Sequence, residues 1–373
     1  MTMKTDEEIL EEIATTRNYA KHTRKTYNTV IRNYAKFQGQ SIHELIMEAV
    51  EEEEERIRWK HRKLRTRLTN YRQYLLDNYL ISTVRGNLMR IKSVYRFYDI
   101  EVLDLPYVSF KNANLPVPLT YNDIPTKEIL DKAIQLSSPL LKAIILFISS
   151  SGTARAEALG LKISDFVESV QEYTYETDIY KVIYELQQRN DIIPMFKLKR
   201  QKTNQYYYTF CSPEATRAIC DYLLTRKHAL TSDMPLFKIS TKYLSTLLGQ
   251  INDQLGLGKR GGFNVIRCHM LRKYHASQLA EAGISTDHIN LLQGRKIPGI
   301  AHETYIRIKP ETLREEYIKA LPHIVISDED RVKTELETIT EQKTELETRF
   351  DTMQEQLDKI QQSISWEDAM KEY

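Results

Sequence analysis

Apolar positions recur every three or four residues through most of the chain, the period of a helix with one buried face. The pattern predicts helices over Thr23–Phe37, over a long segment from about Ser41 to Asn78, and over Ser82–Tyr98. Ser41 and Ser82 stand where N-caps are expected, and the first hundred residues read as a helical bundle. The period breaks between Leu103 and Pro125, where Pro106, Pro116, Pro118 and Pro125 are interspersed with Asn112, Asn114 and Asn122, a linker composition. Beyond it, Thr126–Leu136 and Pro139–Ser149 return to the helical period. Tyr180–Leu186, Pro194–Leu198 and Tyr206–Phe210 carry the β-branched and aromatic content of short strands. Ser212-Pro213-Glu214 opens a helix with a cap, a first-turn proline and an acid at the positive end of the dipole. Helices follow at Thr241–Leu255, Arg267–Ala282 and Thr286–Leu292, with Gly283 and Gly294 as stops for the last two. From Leu336 to Ile360 a seam at spacings of three and four reads as heptads, weakened by Lys343. The seam fits a self-associating coiled coil, a helix folded back on the body, or a solvated helix.

The expected fold is mainly α with a small antiparallel β-sheet. Its parts are a helical domain over residues 1–105, a linker over 106–125, an α-rich domain with the sheet over 126–326, and an acidic heptad tail over 327–373. A length of 373 residues exceeds one hydrophobic core, and 41% apolar residues suffice to fill two. No basic-then-apolar leader stands in Met1–Ile13, and the longest apolar stretch, near Leu140–Ile148, falls far short of a membrane span, so a soluble, cytoplasmic protein is expected. Cys211, Cys220 and Cys268 are too few and scattered for a disulfide framework or a metal site.

The net charge of +2 hides an uneven distribution: fourteen Asp/Glu against six Lys/Arg from Asp328 onward give −8, leaving +10 on residues 1 to 327. A basic body suits a polyanionic partner. Between Arg56 and Tyr98 twelve Lys/Arg meet one acid, Asp77, with Tyr71, Tyr74, Tyr79, Tyr95 and Tyr98 among them. Arg56, Arg58, Lys60, Arg62, Lys63, Arg65, Arg67, Arg85, Arg90 and Lys92 are read as a stretch that tracks a nucleic-acid backbone, the tyrosines serving either that surface or the core. The run Glu51–Glu55 is read as a solvated helical segment.

The chemistry concentrates in Cys268-His269-Met270-Leu271-Arg272-Lys273-Tyr274-His275. On a helix, i and i+3 share a face, so His269 and Arg272 converge on one ligand. A planar guanidinium fork and a proton donor active near neutral pH suit a phosphate. Upstream, Ser151-Gly152-Thr153-Ala154-Arg155-Ala156-Glu157 places an arginine after a glycine turn at a helix start; downstream, His302-Glu303-Thr304-Tyr305 places a tyrosine 33 residues after Arg272.

These boxes, in this order, resemble the tyrosine recombinase or phage-integrase family over roughly residues 120 to 321. The resemblance implies Tyr305 as a nucleophile that forms a 3′-phosphotyrosine bond, with Arg155 and Arg272 clamping the scissile phosphate. It implies a lysine on a β-hairpin as the donor to the departing 5′ oxygen. Lys202, in Lys199-Arg200-Gln201-Lys202-Thr203-Asn204, holds that place, with Lys197 and Lys199 as competitors because Glu168–Asp191 is an insertion relative to the family. The next box departs from the family's Leu-Gly-His or Leu-Gly-Trp: Leu292-Gln293-Gly294-Arg295-Lys296 carries a cation, similar to some archaeal integrases, and Arg295, Lys296 and His302 compete for the role. The implied partner is double-stranded DNA, bound by a tetramer of two dimers with contacts from Pro310–Ala320; the tail beyond Ile326 lies outside the resemblance, and a coiled-coil contact through 332–360 is expected only from its own seam, with the nucleoid as the expected location. No cofactor and no metal is expected: a covalent intermediate conserves the linkage energy, and no Walker-type loop or carboxylate cluster is present in the sequence. Topoisomerase IB-like nicking and closing shares this pocket, and a DNA-binding protein with a decayed pocket is the non-enzymatic alternative.

Overall fold

The computed structural model describes residues 4–109, 120–202, 204–295 and 309–327, together with short stretches between 340 and 356. Two compact units divide between Pro118 and Leu119.

The first unit holds five helices: α1 (Asp6–Thr16), α2 (Lys21–Gln38), α3 (Ile42–Glu54), α4 (Lys63–Asn78) and α5 (Ile81–Phe97). Thr5 with Glu8 and Ser41 with Glu44 form reciprocal capping boxes at the starts of α1 and α3. Leu68 and Ile91 are wholly buried, and Tyr34, Tyr71 and Tyr95 join them in the core, with the Tyr34 and Tyr95 hydroxyls 3.2 Å apart.

The long helix expected over Ser41–Asn78 is broken. Arg56 takes a left-handed φ of 55°, and a single 3-10 turn, Trp59–His61, separates α3 from α4. The acidic run supplies the joint. The carboxylate of Glu52, 5% exposed, accepts the backbone N–H groups of Lys63 and Leu64, capping a helix whose own N-cap residue, Arg62, offers no oxygen. Glu53 accepts from Arg62 Nη1 at 2.9 Å and from the Glu101 backbone N–H at 3.0 Å. The solvated reading of Glu51–Glu55 is therefore corrected at Glu52 and Glu53. Arg62, placed with the DNA-tracking cations, is corrected as well: it is 6% exposed, and its guanidinium is consumed by Glu53 and by the Ile57 carbonyl at 2.9 Å. The last helix starts one residue earlier than expected, so that Leu80 and not Ser82 is its N-cap.

In the second unit, α6 (Lys127–Gln135) precedes α7 (Pro139–Ser151), which is buried along nearly its whole length and packs against α11 (Pro213–Leu224) and α13 (Cys268–Glu281). Gly152 ends α7 in the left-handed conformation, and the single turn α8 (Arg155–Ala158) follows, then α9 (Ile163–Ser169). The strand expected at Tyr180–Leu186 is a helix, α10 (Ile179–Gln187). Its Ile179, Val182, Ile183 and Leu186 recur at the helical period and are buried, and the Asp178 carboxylate caps Tyr180 and Lys181, so spacing and cap outweigh β-branched content. Strands β1 (Met195–Lys199) and β2 (Tyr206–Phe210) pair antiparallel with Met195 opposite Phe210 and Lys199 opposite Tyr206. A second, minimal hairpin pairs β3 (Lys259–Arg260) with β4 (Phe263–Asn264), after α12 (Thr241–Gln254). Helices α14 (Thr286–Leu292) and α15 (Pro310–Ile324) cover the far side of α13 and β2. The architecture is mainly helical with small antiparallel β-structure. All three cysteines are buried and free. No helix among the described residues is long and apolar enough to cross a membrane. The described residues between 340 and 356 are helical, with the heptad positions Phe350 and Met353 exposed.

Glu52→Ala is expected to destabilise the first unit by about 1–2 kcal/mol, because two helix-start N–H groups lose a buried acceptor. Urea unfolding followed by circular dichroism checks this, with Glu51→Ala, an exposed neighbour, expected within about 0.5 kcal/mol of the parent.

Candidate active site

A cleft of about 810 Å³ opens in the second unit, lined by Arg155, Arg200, Ser245, Lys259, Phe263, Arg267, His269, Arg272 and Arg295 among others. Of the residues singled out in the sequence, Arg155, His269, Arg272 and Arg295 meet here. Their elements explain the convergence. Gly152 turns the chain sharply at the end of α7, so that Arg155 emerges at the start of α8 beside α13, and His269 and Arg272 lie one turn apart at the start of α13.

Arg272 is 6% exposed and fixed from three sides. Its Nη1 donates to the Gly152 carbonyl at 2.7 Å and its Nη2 to the Gln293 carbonyl at 2.6 Å; Glu157 Oε2 stands 3.9 Å away. That carboxylate is itself held by Tyr207 Oη at 2.9 Å and by the Ala154 N–H at 3.0 Å. Gln293, fully buried, returns its side-chain amide to the Arg272 carbonyl at 3.0 Å and meets His275 Nδ1 at 3.0 Å. Burial pushes His275 down to about 3, so it is a neutral ring and an acceptor toward that amide. Two glycines admit this packing: a Cβ on Gly152 would sit 2.3 Å from the His275 ring, one on Gly294 2.5 Å from the Tyr207 ring, and both have positive φ.

Arg155 is exposed and makes one hydrogen bond, to Ser245 Oγ at 3.1 Å. Arg200 donates to the Gln293 carbonyl at 3.2 Å and to the Gly294 carbonyl. No acidic side chain lines the cleft among the described residues. The crowding is visible in the acid–base balance. Burial, then Arg295 and Arg200 among the nearby charges, lower Arg272 to about 10, and burial with Arg200 lowers Arg295. His269 is open toward the cleft yet surrounded closely enough that desolvation first, then Arg267, Lys273, Arg295 and Arg272, depress its imidazolium below the ordinary 6.5. A set of cations that penalise one another is a site suited to an anion.

Lys202 is exposed at the turn of the β1–β2 hairpin, where Asn204 takes a φ of 61°, and it is not among the residues lining the cleft. Lys197 and Lys199 lie on the outer face of β1, against the Tyr206 ring at 5.8 and 5.5 Å. Tyr305, Lys296 and His302 lie outside the described residues. Of the other tyrosines, Tyr317 donates to the Ser150 carbonyl at 2.9 Å and Tyr274 to the Ile324 carbonyl at 3.1 Å; burial raises both hydroxyls far above their ordinary value, the signature of packing groups. In the first unit Arg56, Arg58, Lys60, Lys63 and Arg85 are exposed, while Arg65, Arg67, Arg90 and Lys92 are half-buried, Arg67 against Glu48 at 2.6 Å.

Sequence reasoning missed Arg200, Lys259 and Arg267 as cleft residues. A signal for Arg200 exists: the alternation that turns Phe196 and Leu198 inward carries it to the same side. Lys259 carries no such mark, since it arrives through a hairpin too short to show a period; Arg267 stands two residues before His269 as the N-cap of α13, a nearness in sequence that places it beside the motif.

No protein-family model and no curated protein matches the chain. Among solved structures it is similar to XerA recombinase at 18% identity, covering 83% of this chain and 95% of that one, with a TM-score of 0.35. It is similar to a lambda integrase dimer bound to a COC′ core site at 14% identity, covering 83% of this chain and 100% of that one, with a TM-score of 0.49. It is also similar to XerH site-specific recombinase bound to its difH substrate at 13% identity, covering 84% of each chain, with a TM-score of 0.47.

An anion in the cleft restores the proton affinity that the surrounding cations take from His269. Its resonance is therefore expected to titrate below 6.5 in the free protein and to shift upward when an anion, sulfate or a short phosphodiester duplex, is added. Because the bound value is the higher, affinity should strengthen as pH falls through that interval, and His269→Gln should flatten the dependence. Histidine NMR titration with and without duplex checks both.

Proposed function

We propose that the chain is a site-specific DNA recombinase that cleaves and rejoins strands through a 3′-phosphotyrosine intermediate. The observation that carries this reading is the convergence of Arg155, His269 and Arg272 in one acid-free cleft, the residues that the motif order places around a scissile phosphate. In the proposed reaction the Tyr305 hydroxyl gives its proton to solvent and its oxygen bonds to phosphorus as the bond to the 5′ oxygen breaks. Arg155 and Arg272 hold the non-bridging oxygens, where charge builds in the five-coordinate transition state, and His269 donates to the same group. Arg272 is suited to this because it is already anchored and desolvated and need not reorganise. Arg295 supplies the further donor that the family takes from a ring. Lys202 delivers a proton to the 5′ oxygen, which requires the β1–β2 turn to move toward bound DNA. Attack by the 5′ hydroxyl on the phosphotyrosine reverses the step and rejoins the strand.

The remaining readings belong with this one. The helical unit would clamp duplex DNA through Arg56, Arg58, Lys60, Lys63 and Arg85, the basic stretch without Arg62. Two bound dimers would assemble a tetramer, with added contact through residues 332–360, and the protein would reside on the nucleoid.

The test is a nicked suicide substrate from the host element, incubated with the full chain and resolved under denaturing conditions. A covalent protein–DNA adduct is expected, absent in Tyr305→Phe and retained in conservative changes at exposed tyrosines such as Tyr206→Phe. Arg272→Ala should slow adduct formation on the order of 100-fold or more. Salt-sensitive binding with no adduct on any host DNA would overturn the reading in favour of a DNA-binding protein.

A further inference from the structure

One wall of the cleft is a β-hairpin whose purpose the proposed reaction leaves open. Strands β3 and β4 are joined by Gly261 and Gly262, both at positive φ (55° and 82°), the backbone demanded by the tightest two-residue turn. The hairpin is clamped at both ends by one buried side chain: Asn252 donates to the Gly258 carbonyl at 3.0 Å and accepts from the Val265 and Ile266 N–H groups at 2.8 and 3.1 Å. Arg260 adds an ion pair to Asp123 at 3.3 Å. So much anchoring of a four-residue ladder fixes whatever it displays, and it displays Phe263, 50% exposed, into the cleft.

Arg267 lies over that ring, its guanidinium carbon 4.3 Å from the centroid. Among the described residues the Arg267 guanidinium has no hydrogen-bond or ion-pair partner, its Nε is buried without an acceptor, and burial lowers its proton affinity. Arg155, His269 and Arg272 account for a single phosphate, and Arg267 and Lys259 remain on the hairpin side. A DNA strand places a charge at every nucleotide, so a cleft with surplus cations beside a planar apolar surface fits the group next to the bound phosphate.

We propose that Phe263 and Arg267 form a subsite for the nucleotide adjoining the bound phosphate, Phe263 stacking on its unstacked base and Arg267 contacting its phosphate; this rests on the DNA-cleaving reading of the cleft. The base must leave its neighbours to reach the ring, which costs least where it is unpaired. The subsite therefore favours DNA in which that base is mismatched.

Binding is measured with the full chain carrying Tyr305→Phe, so that no cleavage intervenes, on duplexes of the host element's exchange region bearing a single unpaired base at successive positions. At one position the parent is expected to bind on the order of 10-fold or more tighter than to the paired duplex. Phe263→Ala should abolish that preference and Phe263→Trp keep it. Arg267→Ala should reduce the slope of log affinity against log salt by about 0.9, the contribution of one phosphate. The exposed ring can be removed without emptying the core, and circular dichroism checks the fold. If no position is preferred, or if Phe263→Ala and Arg267→Ala match the parent while Arg155→Ala loses its phosphate contribution, the subsite is wrong and the cleft reading stands. If Arg155→Ala also leaves the salt slope unchanged, DNA does not enter the cleft and both readings fall.

Discussion

The carbonyl of Gln293 receives two guanidinium groups, those of Arg272 and Arg200, and the candidate site depends on that shared anchor. A buried arginine cannot shed its charge, so its N–H groups must be met by acceptors or the fold carries a desolvation cost of several kcal/mol. Backbone carbonyls at Gly152 and Gln293 meet two of them and Glu157 stands near. The arrangement is possible only because the chain is glycine at 152 and 294, where a side chain would strike the His275 and Tyr207 rings. The packing of rings against glycines and the position of the Arg272 guanidinium are thus one constraint: loosening either moves the arginine.

Carbonyls satisfy direction but not charge. Among the described residues six Lys and Arg side chains and His269 face one cleft, and the carboxylate close to Arg272, that of Glu157, is engaged by Tyr207 and Ala154. Burial comes first in holding His269 below its ordinary proton affinity, and the mutual repulsion adds to it. Binding an anion relieves it, so part of the binding free energy is stored in the free protein as unfavourable charge. Conformational freedom is removed in the same place, since Arg272, Gln293 and His275 are immobilised by hydrogen bonds and burial. A cleft that is rigid and over-charged stabilises a transition state with more negative charge than its ground state, the condition for rate enhancement by preorganised dipoles and charges.

What the sequence made legible follows from how local each signal is. His269 and Arg272 share a helix turn, and Arg155 follows a glycine stop; both relations are spacings along the chain, and they survive in the structure as one cleft. The helix at Ile179–Gln187 was misread because tyrosine, isoleucine and valine favour strands in isolation, whereas burial of the i, i+3, i+4, i+7 set decided the outcome. Arg62 was misread by charge counting, which cannot distinguish a solvated arginine from one that Glu53 and the Ile57 carbonyl have taken inward. Lys259 was invisible for a different reason: its place in the cleft depends on the Asn252 clamp, a contact that joins α12 to a hairpin and leaves no periodicity. The motif boxes spoke for the phosphate; nothing local spoke for the wall beside it.

The two hairpins of the second unit illustrate how the same local element can be used in opposite ways. The β1–β2 turn spans several residues from Lys199 to Tyr206, closes through the Arg200–Asn204 and Arg200–Gln205 backbone bonds, and leaves Lys202 exposed and outside the cleft lining. The β3–β4 turn has two residues and a buried amide holding both its ends. In the proposed reaction the same lysine gives its proton to the departing 5′ oxygen and takes it back from the attacking 5′ hydroxyl, so it must follow that oxygen through both steps and gains from a mobile tether. A surface that positions substrate gains from the reverse, since each degree of freedom removed in advance is not lost on binding. The proposed transfer asks for a donor that can follow its oxygen and a platform that stays fixed, and the lengths of the two turns accord with that division.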